Sequence, residues 1–222
     1  SSTSRGLGDV YKRQVFDPAA SRRTFRLAMS DYGASVVLPP LVRRLRAQAP
    51  GIDLEISYTS RGGMIAGVAD GQLDLALAVF GETPADIRRA VLFHEPFVCV
   101  MDAAGTAGPL ALDDYLARPH VLVAASQDQR SGEVDAALAR LGRARRVALR
   151  LPHWTAAPAV VAGTDLVLTV AQRTVMPTPP GLAVQPVPFP IDPLGFEMIW
   201  HERADGDAGL HWLRELLASL LG

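Results

Sequence analysis

The sequence has little of several features that mark specialised classes of protein. Its single cysteine, Cys99, rules out an internal disulfide framework and is typical of a reducing compartment. Its 22 Lys and Arg are matched by 23 Asp and Glu, so there is no basic excess of the kind that binds a nucleic-acid backbone. The apolar runs are strand-sized, far below the ~20 residues that span a bilayer, and no signal-peptide pattern is present. These shortages favour a soluble cytoplasmic globule without a membrane partner.

Patterns that indicate catalysis or metal binding are also scarce. Cys99 lies in the apolar segment PFVCVM without a CxxC partner, so we expect an inert core thiol. There is no GxSxG elbow, and the histidines show no spacing typical of a metal site. The five histidines are His94, His120, His153, His201 and His211. We therefore expect no metal, no cofactor and no enzymatic activity.

Two short basic clusters interrupt the even charge distribution. The first contains Arg43, Arg44 and Arg46, and the second contains Arg143, Arg145 and Arg146. Clusters of this size are usually solvated faces or partner contacts, and we interpret both in that way.

Residues 1–14, SSTSRGLGDVYKRQ, have little apolar periodicity and do not resemble the rest of the chain. They look like translated adapter or vector sequence, so we exclude them from the fold as a non-native or disordered leader. On this interpretation the gene was cut just upstream of Val15, and a preceding domain is missing.

From Thr24 onward, strand patterns alternate with helical ones, which is typical of an α/β fold with a mainly parallel sheet. Strands are predicted over 25–29, 53–58, 73–80, 96–101, 120–124, 147–151, 166–170, 182–187 and 196–201. Helices are predicted over 36–48, 64–69, 112–117, 133–141 and 156–162, and a final helix carries leucines over 210–220.

At two segments, PFVCVM at 96–101 and PLGFEM at 193–198, the chain would cross from one smaller unit to the other. We therefore predict two Rossmann-like subdomains joined by two crossover strands, with a cleft between them. Subdomain I takes 15–94 and returns over 195–222, and subdomain II takes 95–194. Ligands in open α/β sheets bind beyond the carboxyl ends of the strands, which places the loops 30–35 and 59–63 at the cleft.

A family resemblance supports this division. The segments FRLAMSDYGASVVLPPL, LRAQAPGIDLEI, ADGQLDLALAVF, LFHEPFVCVM, GEVDAALARLG and RRVALRLPHW resemble, in this order, the effector-binding domain of LysR-type transcriptional regulators. The resemblance covers about 15–222 and is nearest to the subgroup that responds to aromatic carboxylates such as salicylate. Ser131 stands where that subgroup tends to carry a histidine.

The resemblance implies a type 2 periplasmic-binding-protein fold that binds a small effector between the subdomains. It also implies an N-terminal winged helix-turn-helix that reads DNA and is absent from this chain. Antiparallel pairing of these domains into a dimer or tetramer is implied as well, with the helices at 36–48 and 133–141 as candidate contact surfaces.

The first candidate binding residues are Ser30, Asp31, Tyr32 and Ser35, which surround the start of the first predicted helix. Free N–H groups at a helix start favour an anion, so a carboxylate would suit this position. The alternative is that Asp31 or Ser35 caps the helix. Asp31 would repel a carboxylate, so we expect it to orient the loop.

The second set of candidates comes from three further strand-end loops. Ser60 and Arg61 offer a hydroxyl and a cation that could pair with a carboxylate, although Arg61 could also lie in water. Ser126 lies in the loop SQDQRSG. By resemblance, His153, Trp154 and Thr155 belong to the wall of the cleft in the second subdomain, where an imidazole and an indole suit an aromatic acid.

These observations favour the effector-sensing part of a LysR-type regulator, which binds a small anionic or aromatic molecule. Two alternatives stay open. One is a solute-binding protein of a transport system on the same fold, which an exported precursor would favour. The other is an enzyme on this scaffold, for which no convincing reactive residue is present.

Overall fold

A computed structural model describes residues 16–106, 108–124 and 132–222 of the protein. These residues form ten strands and five α-helices. The strands are β1 (Thr24–Met29), β2 (Asp53–Ser57), β3 (Leu75–Ala78), β4 (Ile87–Glu95), β5 (Phe97–Asp102), β6 (Pro119–Val123), β7 (Arg146–Leu151), β8 (Val167–Ala171), β9 (Leu182–Pro186) and β10 (Leu194–His201). The helices are α1 (Asp31–Gln48), α2 (Arg61–Ala69), α3 (Leu112–Ala117), α4 (Glu133–Arg140) and α5 (Ala208–Leu221).

The strands form two five-stranded sheets of the same design. The first has the order β2-β1-β3-β10-β4 and the second has the order β7-β6-β8-β5-β9. In each sheet three parallel strands are followed by two that join with antiparallel pairing. The chain passes from the first sheet to the second at Pro96, and it returns between β9 and β10. The last strand therefore lies inside the first sheet.

The central strands of each sheet are buried on both faces, whereas the edge strands β2 and β7 are partly exposed. Along β1, Phe25, Leu27 and Met29 pack in one cluster with α1 and α5, whereas Ala28 packs in another with α2. In the same way, Val98 and Val100 of β5 face one core of the second sheet, and Cys99 and Met101 face the other. Successive residues of a strand point to opposite faces, so this alternation explains the near-continuous apolar character of the strands.

Several elements differ from their predictions for identifiable reasons. Strand β4 was not predicted, because IRRAVLFHE mixes exposed arginines with buried apolar residues at a sheet edge that pairs on one side only. Segment 156–162, predicted as a helix, contains instead a short 3₁₀-helix (Ala157–Val160). The chain turns soon afterwards at Gly163, whose φ is 71°, so there is little room for a longer helix. The exact limits of the subdomains stay a prediction. Glu95 and Leu194, which the prediction gives to the second subdomain, pair with each other within the first sheet.

Candidate functional site

A cavity of about 100 Å³ lies between the two sheets. Its wall is mainly apolar, with Met64, Val79, Phe97, Leu122, Trp154, Leu194 and Phe196 among the side chains that line it. The polar and charged residues of the wall are Ser30, Tyr32, Tyr58, Thr59, Arg61, Glu133, Arg145 and Thr169. An apolar cavity of about 150 Å³ can hold benzene, so this smaller space limits a ligand to about one ring.

The loops after β1 and β2 reach the cavity and begin the helices that follow them. Ser30 accepts a hydrogen bond from the backbone N–H of Gly33 at 3.2 Å, and Ser60 accepts one from that of Gly63 at 3.1 Å. Each hydroxyl thereby caps a helix, and the cap of α1 is Ser30 instead of Asp31 or Ser35. Ser30 lines the cavity, whereas Ser60 does not.

Asp31 joins the first half of the molecule to the second. Its carboxylate accepts hydrogen bonds from the backbone N–H groups of Trp154 and Thr155 at 3.2 and 2.9 Å, and from the Thr155 hydroxyl at 2.7 Å. Burial alone would raise the pKa of Asp31, but these hydrogen bonds outweigh it and hold the pKa below its ordinary value. Asp31 and Thr155 therefore contact each other across the cleft.

Arg61 makes a second connection across the cleft. Its Nη2 lies 3.3 Å from Oε1 of Glu133, the first residue of α4. The two side chains are 37% and 41% exposed, and both residues line the cavity. This ion pair therefore forms part of the cavity wall and is open to solvent.

Tyr32 belongs to a third connection, next to the crossing at Pro96. The Tyr32 hydroxyl donates to the carboxylate of Glu95, which also accepts from the backbone N–H of Arg173. Glu95 is 2% exposed, and burial together with this hydrogen bond raises the pKa of Tyr32. A neutral phenol is thus held as a donor at the point where the two halves meet.

Arg145 is a residue of the cavity wall that our sequence analysis missed. Its side chain is 2% exposed, and its Nε and Nη2 donate to the two oxygens of Asp135 at 2.8 and 3.0 Å. Burial alone would lower the pKa of Arg145, but pairing with Asp135 raises it, so the guanidinium stays charged. The prediction that both basic clusters are solvated faces or partner contacts is therefore wrong for Arg145. A usable signal was its spacing, because Arg145 is two residues before Val147 on the inward face of β7.

The predicted site residues fall into distinct groups in the structure. Ser30, Tyr32, Arg61 and Trp154 line the cavity. Asp31 and Thr155 bind each other at its side, and Ser60 caps α2. Ser35 donates to the Tyr32 carbonyl, and His153 is exposed away from the cavity wall. Ser126, like Ser131, lies outside the described residues.

Two buried titratable groups of the second half do not face the cavity. Burial lowers the pKa of His120 to about 4 and raises that of Cys99 to about 12, so both are uncharged at neutral pH. Within the described ranges no group of three or more His, Cys, Asp or Glu residues could hold a metal ion. No helix in those ranges is both long and apolar enough to cross a bilayer.

Two α/β subdomains, two chain crossings and a cavity lined from both sides define a ligand-binding domain of the type 2 periplasmic-binding-protein class. The LysR substrate binding domain family matches residues 18–222, and the chain belongs to this family. The predicted family and fold class are thereby confirmed.

Relatives and solved structures agree with this membership. The transcriptional activators NagR of Ralstonia sp and NahR of Pseudomonas putida are 34% and 32% identical to the chain. The matches cover 94% and 93% of this chain and 70% of each relative. The regulatory domain of MexT, a transcriptional activator in Pseudomonas aeruginosa, is 33% identical with a TM-score of 0.82. That match covers 91% of this chain and 100% of the MexT domain.

Proposed function

We propose that the chain is the effector-sensing domain of a cytoplasmic LysR-type transcriptional regulator. A small organic effector, anionic or aromatic, binds in the cavity between the subdomains. The observation that carries this proposal is the cavity itself, whose wall takes Tyr32, Arg61 and Phe196 from one half and Trp154 and Thr169 from the other.

The position of the cavity gives a physical route from binding to regulation. A ligand shifts a conformational equilibrium only if it binds the two states with different affinity. A molecule that contacts both walls loses half of its contacts when the subdomains separate. Its binding energy therefore favours the arrangement in which the halves are close, and a partner domain can sense that change.

The remainder of the regulator is proposed from family membership. DNA would be read through an N-terminal domain missing from this chain, and the domains would associate as a dimer or tetramer. Full-length CbnR in complex with its target DNA shares the fold, with a TM-score of 0.73 at 15% identity. Exposed Val42 on α1 and Leu141 after α4 place apolar surface on the two helices that we expect at the contact. We propose no catalytic role.

The experiment that tests this function is thermal unfolding of the protein against salicylate, benzoate, muconate, amino acids and benzamide. A ligand at 100 times its dissociation constant adds about 2.7 kcal/mol. For a chain of this length that corresponds to a rise in Tm of roughly 5–10 °C. We expect at least one compound to produce such a rise.

A matched pair of variants assigns the shift to the cavity. Trp154→Ala should abolish it, because the indole lines the cavity. Trp212→Ala, which removes a half-buried indole that packs on Phe16, should leave it intact. A panel without any ligand-dependent shift would contradict the proposed function for these classes of compound.

A further inference from the structure

Two arginines line the cavity, and their bonding differs. Arg145 is held by both oxygens of Asp135 and is almost fully buried. Arg61 makes a single side-chain hydrogen bond among the described residues, from Nη2 to Glu133 at 3.3 Å, and is 37% exposed. Arg145 is therefore fixed in place, although its Nη1 is buried without a hydrogen-bond partner among the described residues. Most of the Arg61 donors are available and lie closer to solvent.

The bond between Arg61 and Glu133 is weak for an ion pair. Pairs between exposed side chains contribute little to stability, since water screens them and two long side chains must be ordered. A single hydrogen bond also leaves most of the guanidinium donors unused, because a guanidinium can donate two parallel hydrogen bonds to one carboxylate. A second carboxylate that offered both bonds would compete well with Glu133.

The balanced charge of the wall makes this competition favourable for an acid. The charged residues that line the cavity are Arg61, Arg145 and Glu133, and Asp135 already neutralises Arg145. An anionic ligand would enter an apolar space whose charges are balanced, at a large desolvation cost. That cost falls if Glu133 leaves and Arg61 becomes the partner of the ligand.

Glu133 is placed to leave at low cost. It is 41% exposed, and its bond to Arg61 is the one hydrogen bond that its carboxylate makes within the described ranges. It is also the first residue of α4, where a negative charge stays favourable next to free backbone N–H groups. The carboxylate can therefore turn to solvent without losing its electrostatic support.

We propose that Glu133 is a built-in competitor of the effector for Arg61. The carboxylate of an acidic effector displaces Glu133 and accepts two parallel hydrogen bonds from the Arg61 guanidinium. This contact replaces the ion pair between Arg61 and Glu133 across the cleft. Glu133 thereby sets the selectivity between acids and neutral molecules of the same shape. This inference rests on the proposed function and names the chemistry of its binding site.

The test compares benzoate with benzamide, which have nearly the same shape but differ in charge. By calorimetry, Glu133→Gln should bind benzoate about 1.5- to five-fold more tightly, because exposed pairs of this kind contribute roughly that factor. Its affinity for benzamide should not change. Glu133→Asp, whose side chain is one methylene shorter, provides a second variant with the same expected direction.

Two further variants complete the design. Arg61→Met should weaken the binding of benzoate at least ten-fold. Adding Glu133→Gln to this variant should increase the benzoate affinity by less than Glu133→Gln does in the wild-type protein. Glu202→Gln is the matched control, since this glutamate is 48% exposed and pairs with Arg88 at 3.1 Å outside the cavity wall. It should leave both affinities unchanged.

The outcomes separate this inference from the function on which it rests. If benzoate binds and Glu133→Gln leaves its affinity equal or lower, the ion pair is structural and the competition is wrong. An equal gain for benzoate and benzamide also overturns it, since Glu133 would then merely hold the cleft closed. If benzamide binds and benzoate does not, the inference that an acidic effector pairs with Arg61 is wrong, but the proposed sensing function stands. If no compound of the panel binds, the proposed function fails together with the inference.

Discussion

At the scale of single residues, burial decides which ionisable groups are in an unusual state. His120 is fully buried on β6, where its Nε2 lies 2.8 Å from the carbonyl oxygen of Tyr115. Arg145 and Glu95 are similarly enclosed, but each has an ion-pair partner. The sequence patterns detected the apolar strands around these residues, yet they could not show which polar residue points inward, since that depends on the register of neighbouring strands.

Replacing His120 should change the pH dependence of stability. The pKa of His120 is about 4 in the folded protein and 6.5 as its ordinary value, so the unfolded chain binds the additional proton between these values. Stability therefore falls as the pH drops through this window, by up to about 3 kcal/mol. His120→Gln should reduce that fall, as measured by urea unfolding at pH 7.5 and pH 5.

The exposed His211 on α5 supplies the control. His211→Gln should reproduce the wild-type loss of stability between pH 7.5 and pH 5. A His120→Gln protein with the wild-type pH dependence would show that the imidazole is not neutral in the fold.

At the scale of elements, most strands and the starts of α3 and α4 were predictable, whereas strand β4 and the starts of α1 and α2 were not. Strands β1, β2 and β5 lie within one residue of their predicted limits, because short apolar runs bounded by polar turns define them well. Helix α1 begins five residues before the predicted Val36, since Ser30 caps it and Pro39-Pro40 lie inside the helix rather than near its start. A capping side chain is identified by the backbone N–H group from which its oxygen accepts a hydrogen bond. The sequence does not show that geometry.

Removing a cap should destabilise the protein without altering its surface charge. Ser60→Ala leaves the N–H of Gly63 without its acceptor at the start of α2, so we expect a loss of about 1 kcal/mol. Denaturant unfolding measures this loss. Ser219→Ala, an exposed change within α5, should not lower stability, because alanine has a higher helix propensity than serine, and it serves as the comparison.

An equal effect of the two serine substitutions would argue against the cap. Helix α2 also carries Arg61 as its first residue. The Ser60→Ala protein should therefore show weaker ligand binding in addition to lower stability.

At the scale of the whole molecule, three sets of hydrogen bonds and ion pairs among the described residues join the halves around the cavity. They are the Asp31 contacts to Trp154 and Thr155, the pair of Arg61 with Glu133, and the Glu95 carboxylate between Tyr32 and Arg173. The sequence pointed to several of these residues as ligand contacts. It could not pair them with each other, because partners more than 70 residues apart meet only once both sheets are placed.

Asp31→Ala should loosen the closed arrangement. The substitution removes three hydrogen bonds that join the halves, two of them to backbone N–H groups. We expect a lower unfolding free energy by about 1–3 kcal/mol and a larger radius of gyration in X-ray scattering. Because the pKa of Asp31 is lowered in the fold, its carboxylate stabilises the protein at pH values above its ordinary pKa. The difference in unfolding free energy between wild type and Asp31→Ala should therefore shrink as the pH falls towards 3.

Exposed Asp17, which accepts a local hydrogen bond from Ala19, provides the matching control. Asp17→Ala should leave the scattering curve unchanged. An Asp31→Ala protein as compact as wild type would mean that the other two connections suffice.

The position of β10 also has a consequence for the order in which the protein can fold during synthesis. Strands β3 and β4 have no direct pairing, because β10 lies between them. When the ribosome has made Glu95, the first sheet still lacks its fourth strand, which begins at Leu194. At roughly 5–20 residues per second, the nascent chain keeps two open strand edges for several seconds while the second sheet is being made. A molecular chaperone that shields these edges would therefore raise the yield of native protein more than one that acts on the finished chain.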